Sequence, residues 1–210
     1  MSRSSVFVRK MSASQFASMS KNTDKSQAPP FMAGMRGQVG VTLIELMVAI
    51  AVFAILSVIA VPAYRYITSV SYVANESNSL ISSFWTARSQ AIEGGVPVTI
   101  CTSSNGISCT SETSWQQGWI IFTDINSDQT VDPGDVLREV RTAFTSGDTV
   151  KTSTQVSAIT FNREGFATGI SSDITFAFHD KTDNKAITRC VLLERMGTAL
   201  SESYGTGGCQ

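Results

Sequence analysis

The sequence predicts an α+β protein, one long N-terminal helix packed on an antiparallel β-sheet head. Three observations predict it. Residues 46–64 form an apolar run without a single charge. Apolar residues then recur at helical spacing as far as Gly94-Gly95. Beyond those glycines the pattern changes to short β-like runs separated by turn residues.

Composition sets the limits. A chain of 210 residues allows one medium domain and a further segment. Charged residues make up 16% of it, below the ~25% of an average soluble domain. Hydrophobic residues make up 42%, which suffices for a core and excludes wholesale disorder. The net charge of −1 hides an asymmetry: residues 1–40 carry +5 and residues 41–210 carry −6. If the two parts separate, the remaining chain is acidic. That argues against nucleic acid as a partner, because affinity for it comes mainly from neutralising phosphates. The single histidine, His179, excludes a multi-His metal site and leaves little for Ser-His-Asp catalysis. At the end of an alternating strand, it is expected on the surface.

Residues 1–34 are rich in Ser, Lys, Gln and Met, lack a sustained apolar period and end in Pro29-Pro30 just before Phe31. They are read as lying ahead of the true start, Met35; the rival reading is a long basic leader. Leu46–Ala63 is 18 residues long, about 27 Å as a helix at ~1.5 Å per residue, close to the thickness of bilayer hydrocarbon. A cleaved secretory signal has a shorter apolar region behind a positive flank. Here an acid, Glu45, stands directly in front of the run. An ionisable residue at the edge of a span is costly and points to function. A cut after Gly40 would give Val41 a free α-amine four residues before Glu45, and that amine on a neighbouring helix is a natural counter-charge.

Gly40-Val41-Thr42-Leu43-Ile44-Glu45 and the apolar run behind it resemble the class III signal of type IV prepilins and type II secretion pseudopilins. The resemblance implies that prepilin peptidase cuts after Gly40 and N-methylates Val41, and that Glu45 guides assembly with other major and minor pilins or pseudopilins. Pro62 matches the proline that commonly kinks pilin helices. Val41 departs from the family, where Phe is usual. The implied organisation is a leader over 1–40, with 35–40 the cleaved basic part. A transmembrane and assembly helix over 41–93 and a periplasmic β-rich head over 94–210 follow.

Past Pro62, Tyr66, Val70, Val73, Leu80, Ile81, Phe84, Ala87 and Ala91 recur at spacings of three, four and seven, an amphipathic helix that Gly94-Gly95 ends. The Phe84-Trp85 pair is expected to pack on the head. Strands are expected at Val96–Cys101, Trp119–Thr123, Val136–Arg141, Ala158–Phe161, Ile174–His179 and Ile187–Leu193. Turn chemistry at Ser103–Gly106, Asp132–Gly134, Ser146–Asp148 and Glu164-Gly165 separates them.

The order Ala87–Ile92, Val98–Cys101, Gly118–Asn126 and Ile159–Phe161 before Gly165 resembles the GspH/FimT/FimU branch of minor pilins and pseudopilins. That resemblance implies a structural subunit built into a type IV pilus, priming assembly or standing near its tip. The alternative is a GspH-like minor pseudopilin of a type II secretion system. Some FimT-like proteins are DNA receptors for natural transformation, an activity associated with a basic Gly-Arg-x-Arg segment. The corresponding stretch here, Met196–Leu200, has neither arginine. The implied location is the bacterial inner membrane, single-pass with a periplasmic head, and then the filament.

Cys101, Cys109, Cys190 and Cys209 allow three connectivities. An exported head favours oxidation, and local pairing, Cys101 with Cys109 and Cys190 with Cys209, is the simplest. The cysteines favour the pilus side of the branch. Asp124, Asn126, Asp128, Thr130, Asp132 and Asp135 fall at the ligand positions of an EF-hand-like calcium loop. Gln129 stands where such a loop needs Gly, Asp135 is shorter than the usual Glu, and the flanks read as strands. The loop is therefore read as a solvated hairpin turn. Neither a cofactor site nor a nucleophile-base set is expected.

Overall fold

The computed structural model describes residues 40–206, 208 and 209. Positions 1–39, expected to be a leader with its start at Met35, lie outside the described residues, as do Gly207 and Gln210 of the C-terminal tail. The chain divides into two units, Met1–Leu46 and Met47–Gln210, each taken by itself below.

In the first unit, the chain enters helix α1 (Leu43–Gly94). Thr42 stands just before it. Its hydroxyl accepts the Glu45 backbone N–H at 3.3 Å and its carbonyl accepts the Leu46 N–H at 3.1 Å. These bonds satisfy donors that a helix start leaves open.

In the second unit, α1 continues without interruption through Pro62. Its buried residues, Val73, Ser77, Leu80, Ser83, Phe84, Ala87 and Ala91, form a single stripe. The helix ends at Gly94, and Gly95 adopts the left-handed conformation that closes a helix C-terminus, φ +61°.

Among the described residues nine strands follow: β1 (Val98–Thr102), β2 (Gly118–Thr123), β3 (Leu137–Thr142), β4 (Thr149–Thr152), β5 (Ala158–Phe161), β6 (Ala167–Thr168), β7 (Ile174–His179), β8 (Arg189–Leu193) and β9 (Ala199–Ser203). A 3-10 turn, Trp115–Gln117, leads into β2. The strands form two antiparallel sheets, ordered β3-β2-β1-β5-β6 and β4-β7-β8-β9. The six expected runs correspond to β1, β2, β3, β5, β7 and β8. The first starts later than expected because Pro97 has no N–H to give to a ladder. The last starts at Arg189 because the Ile187 and Thr188 amides both turn back to the Asn184 carbonyl. Strands β4, β6 and β9 were not expected.

Both sheets contribute to one core with the helix stripe. Phe84 meets Phe176 at 5.4 Å between ring centroids, and Trp115 meets Phe176 at 5.2 Å. The buried indoles keep their hydrogen bonds: Trp115 donates to the Val156 carbonyl at 2.9 Å and Trp119 to the Ser83 hydroxyl at 2.9 Å. The other face of β1 and β2 is also covered, with Cys101, Ile120 and Phe122 lying under Cys109 and Val131. That accounts for the unbroken burial of both strands.

Two expectations about packing are corrected. Phe84 is fully buried, but Trp85 is 47% exposed and lies under the Arg88 guanidinium, 5.7 Å from its ring centroid. Adjacent residues on a helix point about 100° apart, so only one of the pair meets the core. His179 is not on the surface but 5% exposed. The Asp180–Asn184 turn folds over it and brings Asp183 Oδ1 to 2.8 Å from His179 Nδ1.

Candidate functional site: the helix start and the span

Gly40, Val41 and Glu45 lie within one exposed stretch at the mouth of α1. Gly40 is not in a left-handed conformation, and nothing lies within 4 Å of the place where a Cβ would sit. The fold therefore does not require glycine here. Glu45 falls in the first turn of the helix, where the unsatisfied N–H groups give a positive end that favours a carboxylate. Thr42 and Glu45 are also three apart, the spacing of a capping box. Among the described residues only the half from Thr42 to the Glu45 amide is formed, and the Glu45 carboxylate has no hydrogen-bond partner there. That Thr-x-x-Glu spacing was readable from the sequence as a helix start and marks the boundary at Leu43.

Behind Glu45, α1 is long and apolar enough to cross a membrane, and its most apolar 18-residue window is entirely unburied. Leu43 is 77% and Phe53 76% exposed. Polar groups inside the run turn back on the helix, as Ser57 does in donating to the Phe53 carbonyl at 2.7 Å. A helix in hydrocarbon needs that self-sufficiency. Pro62 removes one backbone donor from this stretch.

The remaining candidate residues lie in the head. The four cysteines form two disulfides, Cys101–Cys109 and Cys190–Cys209, with Cα atoms 5.5 and 5.7 Å apart. The first closes the Ser103–Ser108 loop against β1. The second ties the tail to β8 beside Ala177. The acidic loop is not the open turn expected at its first position. Asp124 is fully buried. It accepts the Thr99 hydroxyl at 2.7 Å and the Asp128 and Gln129 amides at 3.1 and 3.0 Å. The Asn126 side-chain amide spans Asp128 and Asp132, at 2.9 and 3.1 Å. Among the described residues no group of three or more His, Cys, Asp or Glu side chains is arranged to hold a metal ion. The loop's spacing thus serves to pin it to the sheet.

Sequence reasoning missed one electrostatic feature. Glu76 on α1 accepts the Ser146 hydroxyl at 2.7 Å, while one further oxygen of Glu76 and one of Asp148 are buried without a donor. Burial, and to a smaller degree the Asp148 charge, push the Glu76 carboxyl up to about 7, against the opposing pull of Ser146. A proton on Glu76 shared with Asp148 gives both orphaned oxygens a partner. No sequence signal links the two, because they are 72 positions apart.

The profile of the family described as type II transport protein GspH matches residues 76–197. A prokaryotic N-terminal methylation motif matches residues 35–61. No curated protein sequence matches the chain significantly. Among solved structures, the type IV minor pilin FimU of Pseudomonas aeruginosa strain PAO1 is similar, at 20% identity and a TM-score of 0.49, over 62% of this chain and 87% of that one. The minor pseudopilin EpsH from the type 2 secretion system of Vibrio cholerae is similar at 11% identity and a TM-score of 0.46, over 63% of this chain and 98% of that one.

Proposed function

We propose, from the premise that this chain belongs to the GspH family and is a minor pilin or pseudopilin, that it enters a type IV pilus through the segment that begins at Val41. The observation that carries this reading is the uncovered, uncharged helix standing directly behind Gly40, Val41 and Glu45. Such a surface is stable only in lipid or against other apolar helices.

In this reading prepilin peptidase cuts after Gly40 and methylates the new Val41 amine. The subunit waits in the inner membrane with its head in the periplasm. It leaves when Glu45 pairs with the α-amine of a neighbouring pilin. Pro62 loosens the helix between span and head. The chain is the substrate of an enzyme and catalyses nothing itself. The two disulfides support a pilus subunit, which must survive outside the cell. The second reading, a pseudopilus of type II secretion, is favoured by the description of the matching family. Deleting the gene separates the two: loss of surface pili supports the first, loss of protein secretion with intact pili the second.

The processing step is tested by mass spectrometry of the protein purified from membranes. The expected N-terminus is methylated Val41. An N-terminus at Tyr64, the product of ordinary signal-peptidase cleavage after Ala63, would refute the reading.

A further inference from the structure

A cavity of about 510 Å³ opens where α1 leaves its apolar run, lined on the helix side from Arg65 to Tyr72 and on the head side from Ser146 to Ile187. Its charges are separated by depth. Asp148 and Asp180 are buried, whereas Arg65 and Lys181 are exposed at its edge. Neither cation is in an ion pair among the described residues. Asp180 is held in its charged form, since the Thr182 hydroxyl at 2.5 Å and the Asn184 amide at 2.7 Å outweigh the cost of its burial. The cavity is thus negative within, positive at its edge and neutral as a whole.

We infer that this cavity binds the headgroup of a zwitterionic phospholipid that carries a primary ammonium. The ammonium enters toward Asp148 and Asp180, and the phosphate stays at the edge between Arg65 and Lys181. A simple anion meets the buried carboxylates, and a simple cation meets the two basic side chains. A zwitterion of the right polarity is favoured by both. A primary ammonium donates hydrogen bonds to carboxylates, which a trimethylammonium cannot do. Location selects a lipid over a free solute. The last uncharged residue of the apolar run is Tyr64, and Arg65 is the next residue. Tyr64 and Tyr66 are exposed there, as aromatic side chains at a membrane interface are. The inference rests on the membrane-inserted state proposed above. It gives that state a specific seat for the head before assembly.

The test reconstitutes the full processed chain into vesicles of equal parts phosphatidylethanolamine, phosphatidylcholine and phosphatidylglycerol with identical acyl chains. Flotation reports insertion, and native mass spectrometry after mild detergent extraction reports the retained lipid. The expected result is retention of the ethanolamine lipid over each of the others by ~10-fold, equivalent to the loss of about one charge-assisted contact. The double variant Arg65→Gln, Lys181→Glu changes only exposed side chains. It should float normally and retain ~10-fold less of the ethanolamine lipid than the wild type, because the phosphate has lost its partners. Flotation of the wild type with no lipid preference overturns this inference alone, as does undiminished retention of the ethanolamine lipid by the double variant. Failure to float overturns the membrane reading and this site with it. Stabilisation of the head by soluble phosphoethanolamine as strong as by the vesicles would assign the cavity to a free solute and overturn the lipid.

Discussion

The two halves of α1 are both apolar and differ in where their partners are. From Leu46 to Tyr64 apolar residues surround the helix, and none of its most apolar window is buried. From Val73 to Ala91 one stripe, Trp85 standing outside it, is buried against the two sheets. A stripe specifies a partner within the same chain. An all-round apolar surface specifies a solvent, and in the function proposed above that solvent is a membrane and then a bundle of like helices. One helix therefore carries two separate contracts, one with its own head and one with the assembly, and they should be separable by mutation.

The largest effects come from breaking each contract alone. Phe84→Ala removes the ring at the centre of the aromatic core. It should destabilise the head by ~3–5 kcal/mol, read as a fall in melting temperature and loss of subunit from the membrane. Phe53→Ala, at an equally large but exposed residue, should leave the head's melting temperature unchanged. Glu45→Ala should do the reverse of Phe84→Ala. Membrane levels and head stability should hold, because a costly charge leaves the edge of the span. Incorporation into filaments should fall. Leaving the neighbour's buried α-amine unpaired costs ~3–5 kcal/mol, a depletion of about a hundredfold or more. The measurement is the ratio of subunit in sheared filaments to subunit in membranes for wild type, Glu45→Ala and Glu45→Gln. A wild-type ratio for both variants would show that Glu45 is not the assembly contact.

The disulfides sharpen the comparison from the head's side. Cys101–Cys109 closes a loop of sequence separation 8, and Cys190–Cys209 one of separation 19. The chain-entropy model gives each ~2–4 kcal/mol, with the larger share for the longer loop. Replacing Cys190 and Cys209 together by Ala should lower the melting temperature more than replacing Cys101 and Cys109. Thermal melts of the two double variants decide the order. Neither pair should alter membrane insertion, since both lie outside the span.

How much of this was legible in the sequence follows the same division. The span, its Gly40-Val41-Glu45 preface and the end of the helix at Gly94-Gly95 are local patterns, and local patterns survive in a sequence. The strands with strong apolar runs, such as Trp119–Thr123 and Ile174–His179, were equally legible. Strand β4, Thr149–Thr152, and β9, Ala199–Ser203, were not, because their ladders are set by β7 and β8 and not by their own polar residues. Strand β6 is two residues long and carries no period. His179 was misplaced for a related reason: the turn that buries it is polar and was read as open. The burial of Asp124 was hidden because its partner Thr99 lies 25 residues away. Long-range polar pairs leave no periodicity.

The smallest effect expected is also one of these long-range pairs. Glu76 belongs to the head-facing half of α1, and its carboxyl, with an ordinary value of 4.5, is pushed up to about 7, chiefly by burial and then by the Asp148 charge. The folded state therefore holds this proton more tightly than the unfolded chain. Its contribution to stability is fully present below about pH 4.5, declines as pH rises, and is lost above about pH 7. Because Glu76 remains half-buried, the effect after solvent screening is ~1 kcal/mol, or a shift of about 3 °C in melting temperature. Glu76→Gln fixes the uncharged form and keeps an acceptor for the Ser146 hydroxyl. It should melt higher than wild type at pH 8 and not at pH 4.5. Every other ionisable group is common to the two proteins. The difference between the two melting profiles, wild type minus Glu76→Gln, removes their contribution. A difference that stays flat from pH 4.5 to pH 8 would show that no proton is held between the helix and the Ser146–Asp148 loop. The stripe would then dock the head by its apolar contacts and the Trp119–Ser83 hydrogen bond, with no proton held across that seam.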